Sequence, residues 1–201
     1  MKNNPIKSLL VELILLVLMM ALIPYIISVD ITVLKNGLSE ISITEFTQES
    51  FIFIAALVFF LKLKSEPQSR GLLVLICGLF SMMFIREGDY YLDFVYHGFW
   101  KVPVLLVLIS TLFYSYKYRA TIIGPLNQYK NTKTFTYIFI GFLITVVFSR
   151  LFGTGSLWIE LSGSTDSGFI KTVVQEGLEL FGYALIFIGS VLLHLSKSTD
   201  K

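Results

Sequence analysis

Six runs of apolar residues, each bounded by charge, glycine or proline, divide this chain. They cover residues 8–29, 46–63, 71–85, 102–116, 134–152 and 169–195. A hydrocarbon layer about 30 Å thick needs roughly 20 apolar helical residues, so four of the runs can cross a bilayer as they stand. The third and fourth are short. To span, their helices must continue into the polar stretch between them, giving segments 71–90 and 99–116. The pattern predicts an all-α polytopic membrane protein, with six transmembrane helices in a bundle and one transmembrane domain over residues 1–201.

Composition sharpens this picture. In 201 residues the hydrophobic fraction is 55% and the charged fraction 15%, where a soluble domain carries about a quarter of its residues as charge. Such a balance excludes a disordered tail and a disulfide scaffold. The single cysteine, Cys77, stands inside an apolar run, so no intramolecular disulfide can form. A net charge of +2 offers no reason to invoke nucleic acid. The partner implied is the lipid bilayer, with a lipid or small ion as candidate ligand.

Lysine and arginine fall unevenly in alternate loops. Eleven lie on the side of Lys2, Lys7, Lys62, Lys64, Arg70, Lys117, Arg119, Lys130, Lys133, Lys197 and Lys201; five, Lys35, Arg86, Lys101, Arg150 and Lys171, lie on the other. The positive-inside rule then places both termini in the cytoplasm. The first apolar run is too long for a signal peptide and no small-x-small cleavage pattern follows it, so it is read as an uncleaved span. Short loops and the lack of organelle signals point to a bacterial inner membrane. Acidic residues gather at the outer ends, among them Asp30, Glu45, Glu87 and Asp166, while Glu12, Glu66 and Asp200 lie towards the inside.

A charge within a span costs about 2.5 to 3.5 kcal/mol at the helix centre on insertion scales, so each needs a partner or a task. Glu49, Arg86, Arg150, Glu176 and Glu179 are the clearest cases. Pairing Glu49 and Glu176 with Arg86 and Arg150 would neutralise four of them and pin the helices together. If the third helix continues past residue 86, Arg86, Asp89, Asp93 and His97 follow spacings of three, four and four and share one face. Asp89, Asp93 and His97 are therefore candidate ligands of a divalent metal, with Lys101 reaching the headgroups. Gly88 and Gly98 could instead end that helix.

Glu176 and Glu179 stand three apart with Tyr183 one turn on. Two like charges so close disfavour joint ionisation when desolvated, which makes the pair a candidate general acid and base. The expected topology argues against a bis-histidine haem, because it puts His97 and His194 at opposite faces. The five residues from Thr47 to Phe51 echo those from Val174 to Leu178, each a turn into an inward-running helix.

These residues support three readings. The leading one is an outward-facing, carboxylate-rich site at the outer leaflet that binds a lipid headgroup or modifies a lipid with a metal. In it Asp89, Asp93 and His97 hold the metal, Glu176 and Glu179 act as acid and base, and Arg86 and Arg150 position a phosphate or carboxylate. The second is a proton- or cation-coupled transporter or channel using Glu49, Glu176 and Glu179. The third is a membrane assembly or partner-binding protein without chemistry. Span centres are mostly Leu, Ile, Val and Phe, which weighs against a continuous polar path.

Overall fold

The computed structural model describes residues 5–154, 158–160 and 167–196. Lys2, Asp166, Lys197, Asp200 and Lys201, used above in weighing orientation, lie outside them. The fold is all-α, with several long apolar helices consistent with a multi-pass membrane protein.

Helix α1 runs over Pro5–Ser28 and continues as a π-helical turn, Val29–Leu34. Lys35 ends it in the left-handed conformation, at φ 53°. Helix α2, Ile43–Ser65, starts where the Ser42 hydroxyl accepts from the Glu45 N–H at 3.2 Å, satisfying an otherwise orphan donor. It stops before Pro67, whose ring cannot continue a helix. Helix α3 spans Arg70–Glu87, α4 spans Lys101–Lys117, and α5 spans Lys133–Leu143. After α5 the chain makes a π-helical turn, Ile144–Phe148, and a last α-turn, Ser149–Phe152. Helix α6 covers Ser167–Ser196.

Five of these segments are long and apolar enough to cross a membrane, where the hydrophobic pattern predicts six. The exception is the fourth expected span. Helix α4 has 17 residues, about 25 Å at 1.5 Å per residue, and falls short of the hydrocarbon thickness. The extension expected at the end of the third span also fails. Helix α3 closes at Glu87 on Gly88, and the following residues form only a single turn, Asp89–Leu92.

Helices α2 and α6 form the centre, with α3 packed against α2, α5 against α6, α4 on the outer side of α3, and α1 along α6. Ile52, Ala55, Phe59, Leu73, Phe80 and Ile186 make the apolar core beneath the polar ends. The α5–α6 contact depends on glycine. A Cβ at Gly141 would stand 2.5 Å from the Gly182 carbonyl oxygen, and one at Gly182 would meet the Gly141 oxygen at 2.8 Å and the Thr145 nitrogen at 2.9 Å. Only a bare backbone permits that approach. The end of the bundle carrying both termini is tied by two polar clips. Lys133 pairs with Glu12 at 2.7 Å while the Tyr137 hydroxyl donates to the same carboxylate at 2.6 Å. Lys62 pairs with Glu66 at 2.8 Å, and the Tyr129 hydroxyl donates to Glu66 at 2.8 Å.

Candidate functional site

At the opposite end, three helices turn polar faces towards one another. From α2 come Glu45 and Gln48, three residues apart; from α3 come Arg86 and Glu87; from α6 come Gln175, Glu176, Glu179 and Tyr183. On α6, steps of three and four stack Glu176, Glu179 and Tyr183 on one face. Arg150 enters from the last turn of the α5 segment.

The contacts run across the seam between helices. Gln48, fully buried, donates through Nε2 to the Glu176 carboxylate at 3.0 Å and to its backbone carbonyl at 3.3 Å. The carboxyl groups of Glu45 and Glu176 lie within hydrogen-bonding reach of each other. Gln175 donates to Glu179 at 3.0 Å, and the Arg150 guanidinium stands 3.3 Å from the same oxygen. Tyr183 donates its hydroxyl to Glu87 at 2.7 Å, with Arg86 3.9 Å from that carboxylate. Glu179 is buried and the Glu87 side chain is 7% exposed. Among the described residues, four carboxyl groups therefore share two guanidiniums, both of which reach in from exposed positions.

Two polar atoms near this seam lack partners. Gln48 Oε1 and Thr145 Oγ1 are buried without a hydrogen bond, a condition that costs about 1 to 3 kcal/mol each. Thr145 sits in the π-helical turn that faces Gly182, one α6 turn from Glu179.

This arrangement corrects the leading sequence expectation of an outward-facing, metal-assisted lipid site. The glutamates are packed between helices and held by polar partners within the bundle. Among the described residues no group of three His, Cys, Asp or Glu could hold a metal. The reason lies in the turn after α3. Because the helix ends at Glu87, Asp89, Asp93 and His97 do not form a continuous face with Arg86. Asp93 instead accepts the Gly98 N–H at 2.8 Å, in a turn that holds Gly98 at φ 84°, and pairs with His97 Nδ1 at 2.9 Å. The His97 side chain is fully exposed. Lys101 opens α4, its ammonium 5.8 Å from the Trp100 ring.

The expected cross-pairing of charges is also redistributed. Arg150 pairs with Glu179 and Arg86 with its neighbour Glu87. Glu49 faces a different hollow, beside Glu40, Phe46 and Tyr91. Glu45 and Glu87 take its place in the cluster, although the sequence marks both only as part of the general acidic bias of the outer ends. The signal that could have found Glu45 is its three-residue spacing to Gln48, the first identical residue of the echo with α6.

A second buried acid at this end is structural. Asp30, fully buried in the π-helical turn of the first segment, accepts from the Asn36 side chain at 2.8 Å, the Ile43 N–H at 3.0 Å, the Thr44 N–H at 2.8 Å and the Thr44 hydroxyl at 2.7 Å. Its negative charge thus sits on the N-terminus of α2, where orphan donors and the helix dipole both favour it.

No family model, no curated protein and no solved structure matches this chain.

Proposed function

We propose that the protein is a proton-coupled cation transporter in which the Glu45–Glu176 pair carries the exchangeable proton. One observation carries the reading: two carboxyl groups from different helices approach within hydrogen-bonding reach inside the bundle. A carboxyl–carboxyl hydrogen bond requires that one partner hold a proton, and losing it leaves adjacent like charges that attract a cation. Intramembrane carboxyl groups buried among helices commonly serve proton relays and ion pathways.

The surroundings suit coupling to movement. Arg150, in the last turn of the α5 segment, is tied to α6 through Glu179, which lies three residues from Glu176 on the same helix face. Between Arg150 and the rest of α5 lies the π-helical turn, Ile144–Phe148. Such turns are rare and concentrate at functional sites. The apolar core beneath the cluster blocks a static polar path, so transport would require the α5–α6 contact to rearrange.

The test is proton flux in sealed proteoliposomes containing a pH-sensitive dye, under an imposed Na⁺ or K⁺ gradient. Wild-type protein is expected to move protons against one of these gradients. Glu176→Gln and Glu45→Gln are expected to reduce the rate at least tenfold, while Glu49→Gln, outside the cluster, retains it. Gradient-independent proton movement in the wild type, or full activity in Glu176→Gln, would overturn the reading.

A further inference from the structure

A second feature lies far from the carboxyl cluster, at the end of the bundle that carries the termini. Helices α2 and α4 both flank α3 and leave a groove of about 580 Å³ along it. That volume lies in the range of small-ligand sites, roughly 300 to 1,000 Å³. Its walls are predominantly apolar, with Phe60 of α2, Val74 of α3 and Leu106 and Val107 of α4. Deeper in, Ser81, Ser110 and Thr111 place hydroxyl groups along it, and Thr111 packs directly on Gly78.

The mouth is basic. Lys64 and Arg70 line it. The Arg70 guanidinium lies 5.3 Å from the centre of the Tyr118 ring, and its Nε donates to the Leu63 carbonyl at 3.3 Å, so the group is held in place. The Lys117 ammonium stands 5.7 Å from the centre of the same ring, and the Arg119 guanidinium lies 4.8 Å from the centre of the Tyr116 ring. Among the described residues no ion pair joins these cations to a carboxylate. Among the described residues, the two acids at this end are already engaged: Glu66 with Lys62 and Tyr129, Glu12 with Lys133 and Tyr137.

We infer that this groove binds an anionic phospholipid, its phosphate between Lys64 and Arg70 and one acyl chain along α3 between α2 and α4. Charge complementarity selects the headgroup: among the described residues Lys64 and Arg70, neither of them paired with a carboxylate, line the mouth of a predominantly apolar groove, and Lys117 and Arg119 stand beside it on the Tyr118 and Tyr116 rings. Basic pockets between transmembrane helices take up anionic headgroups in this way. Lysine and tyrosine at such a level also have their stems in the apolar layer and their polar ends at the phosphates. The site shares no residue with the Glu45–Glu176 cluster, so it stands or falls independently of the proposed transport.

Native mass spectrometry of the full chain in detergent tests it, with phosphatidylglycerol, phosphatidylcholine and inorganic phosphate as separate probes. Phosphatidylglycerol is expected to remain bound at least tenfold more than phosphatidylcholine. Lys64→Glu is expected to reduce retention at least fivefold by reversing charge at the mouth, and Ser110→Trp to do so by filling the groove. Both positions are solvent- or lipid-exposed, and an unchanged melting transition by circular dichroism verifies folding of each variant. Equal retention of the two lipids overturns the proposal, as does unchanged retention in both variants. Binding of inorganic phosphate as strong as that of phosphatidylglycerol overturns the acyl-chain assignment and identifies an anion site instead.

Discussion

At the scale of single residues, the cost of burying polar groups explains why the carboxylates at the cluster end have different environments. Asp30 is saturated by four donors, three of them from the first residues of α2. It has no remaining capacity for chemistry. Asp30→Ala would leave the Thr44 N–H and hydroxyl without their acceptor, and a loss of about 3 kcal/mol is expected from stranding two buried donors. Thermal unfolding in detergent, followed by circular dichroism, checks it. Glu176 instead accepts from the neutral Gln48 amide and lies against Glu45. Thr145 presents the opposite case, a buried hydroxyl with no partner. Thr145→Val keeps the shape and removes the unpaired oxygen, so stability is expected to stay level or rise by about 1 kcal/mol. A drop larger than that would mean the hydroxyl has a partner, such as an ordered water, in solution.

At the scale of elements, the hydrophobic pattern located the long helices because a membrane span is defined by a run of composition. It misplaced the end of the third one. Whether Gly88 terminates a helix or sits within it depends on the backbone that follows, and the turn fixed by Asp93 and Gly98 settles it. That local event removed the expected stripe of Arg86, Asp89, Asp93 and His97, and with it the metal. The α5–α6 contact makes a second prediction. Gly182→Ala places a methyl group against the Gly141 oxygen of α5 at 2.8 Å and the Thr145 nitrogen of the π-helical turn at 2.9 Å, backbone atoms that cannot rotate away. Destabilisation of about 1 to 3 kcal/mol is expected from overpacking, measured by the same thermal transition. Because the seam lies beside Arg150 and the π-helical turn, this variant is also expected to slow proton flux.

For the whole molecule, the two ends of the bundle are built from different chemistry. One end carries carboxyl groups between helices; the other carries paired Lys62–Glu66 and Lys133–Glu12 clips and a basic groove mouth. The positive-inside rule predicts that the end richer in lysine and arginine faces the cytoplasm. This orientation has a direct check. In a Cys77→Ser background, a membrane-impermeant maleimide applied to sealed right-side-out vesicles is expected to label Asn36→Cys and spare Lys64→Cys. The reverse pattern would invert the orientation.

The sequence by itself determined that this chain is helical, built of long apolar segments consistent with a multi-pass membrane protein, and polarised in charge, since these properties follow from composition and period along a single segment. It also singled out Glu176, Glu179 and Arg150 as charges in need of partners. Which partners they found was decided only by the tertiary structure. Gln48 and Glu87 reach α6 from α2 and α3 across separations of 128 and 96 residues, and no local pattern encodes which faces of separate helices meet. The close approach at Gly141 and Gly182, and the groove left where α2 and α4 both lean on α3, arise in the same way, because packing is a property of surfaces brought together and a one-dimensional pattern records only the surfaces.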